Sequence, residues 1–113
     1  MITLLRAIIE EPLIKKKVQI NKEINLKDYL DKDFGEYSLC TEYSLYALNI
    51  CFGKYKGYGH YYAYILINNE WYKFDDLEVN KVDEKLIVKD LQYIYGIYYI
   101  NKDYLKYLKN EYY

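Results

Sequence analysis

Two alternating runs, His60 to Ile67 and Trp71 to Asp75, meet at the pair Asn68-Asn69. Side chains alternate across a strand with a period of two. Asparagine tolerates the positive φ that a tight hairpin turn demands. The segment therefore reads as a β-hairpin and commits the chain to a fold built on an antiparallel sheet. The same period marks further strands over Ile2 to Ile9, Leu13 to Ile20, Tyr43 to Phe52, Leu77 to Val82 and Tyr93 to Ile100. On the Tyr43 to Phe52 strand, Tyr43, Leu45, Ala47, Asn49 and Cys51 share one face. Glu10-Glu11-Pro12 reads as a turn, with Pro12 pre-set for it. Ile24, Leu26, Tyr29 and Leu30 suggest a short amphipathic segment with one helical turn starting near Asn25, before a polar loop over Asp31 to Glu36. Gly53 to Gly59 reads as a second, glycine-rich loop. Asp83 is placed to cap a helix running through Leu91, with Leu86, Ile87 and Leu91 apolar. Asp103 to Tyr112 reads as a terminal helix with Leu105, Leu108 and Tyr112 on one side. The sum is an α+β domain, rich in antiparallel β-sheet with a few short helices.

At 113 residues the chain is one small domain or part of a larger one. Lys+Arg total 16 and Asp+Glu 17, a net charge of -1 that argues against a basic nucleic-acid module. No stretch approaches the ~20 apolar residues of a membrane span. Met1 to Ile9 lacks the basic front and small-residue cleavage site of a signal peptide, so the expected compartment is intracellular, cytoplasmic or nuclear. Cys40 and Cys51 do not make a C-x-x-C pair and are expected to be free thiols. One histidine, His60, cannot build a His-rich metal site, so neither metal nor cofactor is expected. The 18 tyrosines, against 3 phenylalanines, fit either biased coding or an aromatic binding surface.

Chemistry concentrates between Gly57 and Asp76. His60 lies at the mouth of the first hairpin strand, directly after Gly59, and Asp75-Asp76 end the second. Counting back from the turn, a small bulge or curl brings His60 and Asp75 together at the open end. A carboxylate beside an imidazole fixes its tautomer and orientation, which is the base–orienter half of a nucleophilic triad. Gly59 permits a close backbone approach. The residues alone leave the plainer alternative open: a strand-end histidine with an ordinary hydrogen bond, two solvated acids, and half-buried tyrosines at Tyr61, Tyr62 and Tyr64.

Several ordered blocks resemble the ubiquitin-specific protease catalytic domain, peptidase family C19. Its histidine box runs Y-x-L-x-A-V-x-x-H-x-G, a variable loop, G-H-Y-x-A-Y, a hairpin, W-Y-x-F-D-D-x-x-V, then Y-x-L-F-Y. Here Tyr43 to Gly53 fills the first block, Gly59 to Tyr64 the second, Trp71 to Val79 the third and Tyr95 to Tyr99 the last. Ile2 to Ala7 resembles the family's I-H-L-K-R-F strand more weakly, as do Lys16-Lys17-Val18 and Ile24-Asn25-Leu26 the stretch after it. The resemblance implies a fold that is the antiparallel, sheet-rich half of a papain-like cysteine protease domain. Residues 1–113 would be its C-terminal, His/Asp-box portion, with the upstream cysteine-box portion absent. It implies His60 as general base, Asp75 as its orienter and Asp76 as a supporting acid. Gly59 and Tyr61 fall where the family holds the Gly-Gly tail of ubiquitin.

The departures matter as much. No G-N-T-C-Y-like box with the nucleophilic cysteine occurs in the sequence. Cys51 takes the place of the histidine in H-x-G, and Cys40 has no helix start or oxyanion-donor pattern after it. Both read as small buried residues. Two functions compete. One is the His/Asp portion of a cysteine-type deubiquitinase, needing a cysteine-box half in cis or in trans and acting on ubiquitin or ubiquitinated protein. The other is a catalytically inactive ubiquitin-binding or protein-interaction module derived from such a domain, consistent with aromatic-rich interfaces. A third reading, an unrelated β-rich domain, must explain away several blocks in matching order.

Overall fold

A computed structural model describes residues 2–3, 19–30, 40–53 and 59–112. They form seven strands, β1 (Ile2–Thr3), β2 (Glu23–Asn25), β3 (Glu42–Gly53), β4 (Gly59–Ile67), β5 (Glu70–Asp75), β6 (Glu78–Val82) and β7 (Ile94–Asn101). The helices are α1 (Glu84–Asp90) and α2 (Lys102–Tyr112). Two compact units result, one with residues 46–98 and β1, the other with residues 21–45 and 99–113, the division falling within β3 and β7. The antiparallel, sheet-rich α+β class read from the sequence is what forms.

In the first unit the strands run in the order β1-β7-β3-β4-β5-β6. The β4–β5 hairpin closes with Ile67 opposite Glu70, and Asn68 and Asn69 take φ of 49° and 64°. That left-handed pair is the turn type whose twist matches two flanking strands, and asparagine adopts it at low cost. The ladder then carries Ile65 opposite Tyr72 and Ala63 opposite Phe74. β3 pairs with β4 from Ala47–Ile65 to Gly53–Gly59.

The first unit's core gathers Ala47, Leu48, Ile50, Tyr64, Ile87, Ile94 and Ile97, with Ile50, Tyr64 and Ile94 fully buried. Each such aliphatic contributes about 1.5–3 kcal/mol by leaving water. Ala47 is buried together with its neighbour Leu48 on the opposite face of β3. Ala47 lies on the face read from the sequence, and Leu48 shows that the other face of this strand, which runs between β7 and β4, is buried there too. Asp83 caps α1 as expected, its Oδ1 accepting from the Lys85 amide at 3.0 Å. A seven-residue helix buries a narrow stripe, so Ile87 is inside while Leu86 stays 39% exposed.

In the second unit β2 pairs with the start of β3, Ile24 opposite Tyr43. Ile24 thus belongs to a strand, and the helical turn is confined to Lys27–Tyr29, where the Lys27 amide donates to Asn25 Oδ1 at 2.9 Å. Tyr29 and Leu30 are exposed, because one turn offers no apolar face to dock. Asn101 starts α2 by accepting from the Asp103 amide at 3.0 Å, while its Nδ2 donates to the Cys40 carbonyl at 2.9 Å. Leu105 and Leu108 are half-buried. Most of the expected Ile2–Ile9 strand, the Pro12 turn, most of the Leu13–Ile20 strand, the loop at 31–36 and the centre of the 53–59 loop lie outside the described residues; Gln19 and Ile20 are described, and they are not strand. Among the described residues no helix is long and apolar enough to cross a membrane.

Candidate active site

The hairpin register sets the site. The last β4–β5 pair is Ala63 opposite Phe74, so by period Asp75 falls on the side of Tyr62, which shares a strand face with His60 and Tyr64. His60 and Asp75 are therefore diagonal neighbours on one face, within reach of long side chains. His60 Nε2 meets Asp75 Oδ1 at 2.5 Å. A carboxylate oxygen only accepts, so Nε2 carries the shared proton and a neutral imidazole leaves Nδ1 as the open acceptor. The His60 side chain is 51% exposed and that of Asp75 27%.

Asp76 sits in the β5–β6 turn with φ of 50°. Its carboxylate lies within 4.8 Å of the His60 and Asp75 donor atoms. Asp76 and Leu77, the two residues of the turn, are exposed, Leu77 fully. The three sequence-assigned residues His60, Asp75 and Asp76 are thus together. One nitrogen and carboxylate oxygens at this spacing make a three-donor set, but the 2.5 Å contact already occupies Nε2 with Asp75.

Gly59 and Tyr61 have other neighbours. A Cβ on Gly59 would lie 2.8 Å from Cys51 Sγ and 3.2 Å from the Phe52 carbonyl oxygen, so β3 itself makes the close approach that only glycine allows. Tyr61 is on the face opposite His60, 47% exposed, with its ring edge-on to Tyr95 at 5.7 Å. Cys51 pairs with Tyr61 and so shares that opposite face, away from the imidazole. Cys40, with its thiol directed at the Glu42 carbonyl at 3.7 Å, belongs to the second unit. Both thiols are free, as the sequence suggested, but half-buried where burial was expected.

Four residues the sequence reading did not assign complete the surroundings. The Tyr62 ring lies 5.7 Å from the imidazole, tilted by 37°. Lys73 Nζ sits 4.1 Å from the Tyr62 ring centre and 3.7 Å from Asp75 Oδ2. The hydroxyls of Tyr62 and Tyr64 both donate to Asp90 Oδ2, at 2.8 and 2.5 Å. Burial, and then the Asp90 carboxylate, hold both phenols above the usual tyrosine range. Period-two spacing from His60 and Asp75 marks Tyr62, Tyr64 and Lys73 as same-face residues; no local signal marks Asp90.

The ubiquitin carboxyl-terminal hydrolase family model matches residues 5–103. Ubiquitin carboxyl-terminal hydrolase 20 of Arabidopsis thaliana is 38% identical over 82 residues, 72% of this chain and 12% of that protein. Ubiquitin carboxyl-terminal hydrolase 17-like protein D of Mus musculus is 29% identical over 94 residues, 82% of this chain and 16% of that protein. The chain spans less than a fifth of the length of either relative. Among solved structures, the yeast SAGA DUBm with an Sgf73 mutant superposes with a TM-score of 0.59 at 21% identity, over 78% of this chain and 20% of that one. The SAGA Ubp8/Sgf11/Sus1/Sgf73 DUB module gives 0.54 at 24%, over 79% and 20%. The antiparallel sheet with short helices is the fold these structures share with it.

Proposed function

Because the chain belongs to the ubiquitin carboxyl-terminal hydrolase family, we propose that it supplies the base of a cysteine-type deubiquitinase. The reaction is hydrolysis of the isopeptide or peptide bond after the C-terminal glycine of ubiquitin. His60 is the general base, Asp75 its orienter and Asp76 a supporting acid. Gly59 and Tyr61 contribute to the passage of the Gly-Gly tail. The nucleophile comes from a cysteine-box half of the domain, in cis or in trans.

One observation carries this reading: Asp75 engages Nε2, which leaves Nδ1 for proton transfer. Nδ1 takes the thiol proton as sulfur attacks the glycine carbonyl carbon. The resulting imidazolium is stabilised by Asp75 and returns the proton to the departing lysine amine. Water then attacks the thioester, Nδ1 accepts a proton from it, and the thiol leaves reprotonated. Half-exposure of the imidazole suits a group that must face both a thiol and a substrate.

The second reading, a ubiquitin-binding module without hydrolysis, is favoured by one observation. Cys51, the thiol described in the His60 unit, faces away from the imidazole. Reconstitution separates the two. The chain is mixed with, or fused to, a family cysteine-box half and given ubiquitin bearing a C-terminal amide-linked fluorophore. Release that requires the chain and vanishes with His60→Gln supports the base role; release unaffected by His60→Gln refutes it. Ubiquitin binding with no release under any arrangement favours the module.

A further inference from the structure

We propose that Tyr62, tethered by Asp90, is a positioning residue for the His60–Asp75 pair. The proposal rests on His60 being the base, and it concerns what holds the imidazole plane. A side chain 51% exposed is not locked by packing. The bond from Nε2 to Asp75 fixes one point of the ring, and rotation about that axis stays open until a second surface meets it. Tyr62 supplies that surface, its ring 5.7 Å from the imidazole at a 37° tilt.

Tyr62 is itself held from two sides. Its hydroxyl donates to Asp90 Oδ2 at 2.8 Å. The same oxygen accepts from Tyr64 at 2.5 Å, and Tyr64 is fully buried, which ties Asp90 to the core. Asp90 ends α1 and leads into the Leu91–Tyr93 turn and buried Ile94. On the other side, the Lys73 ammonium lies 4.1 Å from the ring centre, an attraction between cation and π-face. Lys73 is also 3.7 Å from Asp75 Oδ2, the oxygen His60 does not use. The contacts therefore close a circuit from His60 to Asp75 to Lys73 to Tyr62 and back to His60, anchored at one point by Asp90. Tyr62 fills the unspecified position of G-H-Y-x-A-Y, so the tether is a property of this chain and not of the motif.

One histidine in the sequence makes the test direct. In the full 113-residue chain, isotope-labelled on the imidazole, the solvent-exchange rate of the His60 Nε2 proton reports how firmly the ring is held. Tyr62→Phe keeps the ring and removes the tether, and exchange is expected to rise about fivefold, the factor equivalent to a half-exposed hydrogen bond of ~1 kcal/mol. Tyr64→Phe removes a hydroxyl from the same Asp90 oxygen, but its ring lies one step farther from the imidazole. It is expected to lower stability and leave the exchange rate within about twofold of wild type, since its hydrogen bond is not part of the circuit. An unchanged rate in Tyr62→Phe overturns the proposal, and so does an equal rise in both variants, which is general loosening. Neither measurement involves ubiquitin. If reconstituted hydrolysis ignores His60→Gln, the function falls while this result stands; if the exchange rates do not separate, positioning falls and the function is untouched.

Discussion

Replacing Tyr64 by phenylalanine removes one oxygen from the most deeply buried hydrogen bond near the site. Tyr64 is fully buried and its hydroxyl donates to Asp90 Oδ2 at 2.5 Å. Hydrogen bonds to a charged group contribute about 1.5–3 kcal/mol, and phenylalanine fills the same volume, so no cavity term is added. Tyr62→Phe removes the companion bond to the same oxygen. Tyr62 is half-buried, water can replace the lost donor, and the expected cost is about 0.5–1.5 kcal/mol. The assay is urea unfolding followed by circular dichroism, with m compared between variants so that the free energies are commensurate. The alkaline limb gives an independent check. Both phenols titrate above the usual tyrosine range in the folded state. A raised folded pKa means the stabilisation is complete below about pH 10, the unfolded tyrosine value, and declines as pH climbs from there toward the folded value. Wild type should therefore lose stability more steeply above that pH than Tyr64→Phe does. A Tyr64→Phe loss below about 0.5 kcal/mol, or alkaline slopes that coincide, would refute the assignment of a strong bond from Tyr64 to Asp90.

Three further outcomes are expected. Gly59→Ala forces a methyl against Cys51 Sγ and the Phe52 carbonyl oxygen and should destabilise by about 1–3 kcal/mol; Cys51→Ala in the same chain should recover part of it in a double-mutant cycle, and strict additivity would discount the clash. Asn69→Ala places an alanine at φ of 64° and should cost about 1 kcal/mol in urea unfolding, whereas Asn69→Gly should be neutral or better; equal losses would mean the turn is not what matters. The Glu70 carboxyl lies below the usual glutamate range because Lys81 donates to it at 2.7 Å. Its contribution to stability is present above the unfolded glutamate pKa and is lost as pH falls through the lowered folded one, so Lys81→Met should raise the Glu70 midpoint followed by carboxyl NMR, and an unmoved midpoint would discount the pair.

Local chemistry decided which parts of the fold were legible. Asn68 and Asn69 announce a left-handed turn by residue type alone, and the turn fixes the register of both strands. Register then brings His60 and Asp75 together, so the central pair follows from counting. Asp83 and its helix were readable for the same local reason. Ile24 was not, since its strand exists only through Tyr43, far along the chain. Asp90 was the least readable. It lies 26 and 28 residues from the tyrosines it joins, and its place depends on how α1 and the following turn return to the sheet.

An exposed base poses a mechanical problem that a buried one does not. In the proposed role the imidazole has to reach a thiol and a substrate, so it cannot be fixed by surrounding it with core. Orientation has to come from a few directed contacts on one side, each held by something stiffer behind it. In this chain the stiffness is graded. Ile50, Tyr64 and Ile94 are fully buried, Asp90 is tied to them through Tyr64, Tyr62 is tied to Asp90, and His60 leans on Tyr62 while bonded to Asp75. The series runs from fully buried residues, through half-buried Asp90 and Tyr62, to the half-exposed imidazole. Loosening any interior member should therefore be felt at the imidazole only in proportion to its place in the circuit. This is why two phenol-to-phenyl changes on one carboxylate are expected to differ, Tyr62→Phe acting on orientation at a modest cost in stability and Tyr64→Phe on stability.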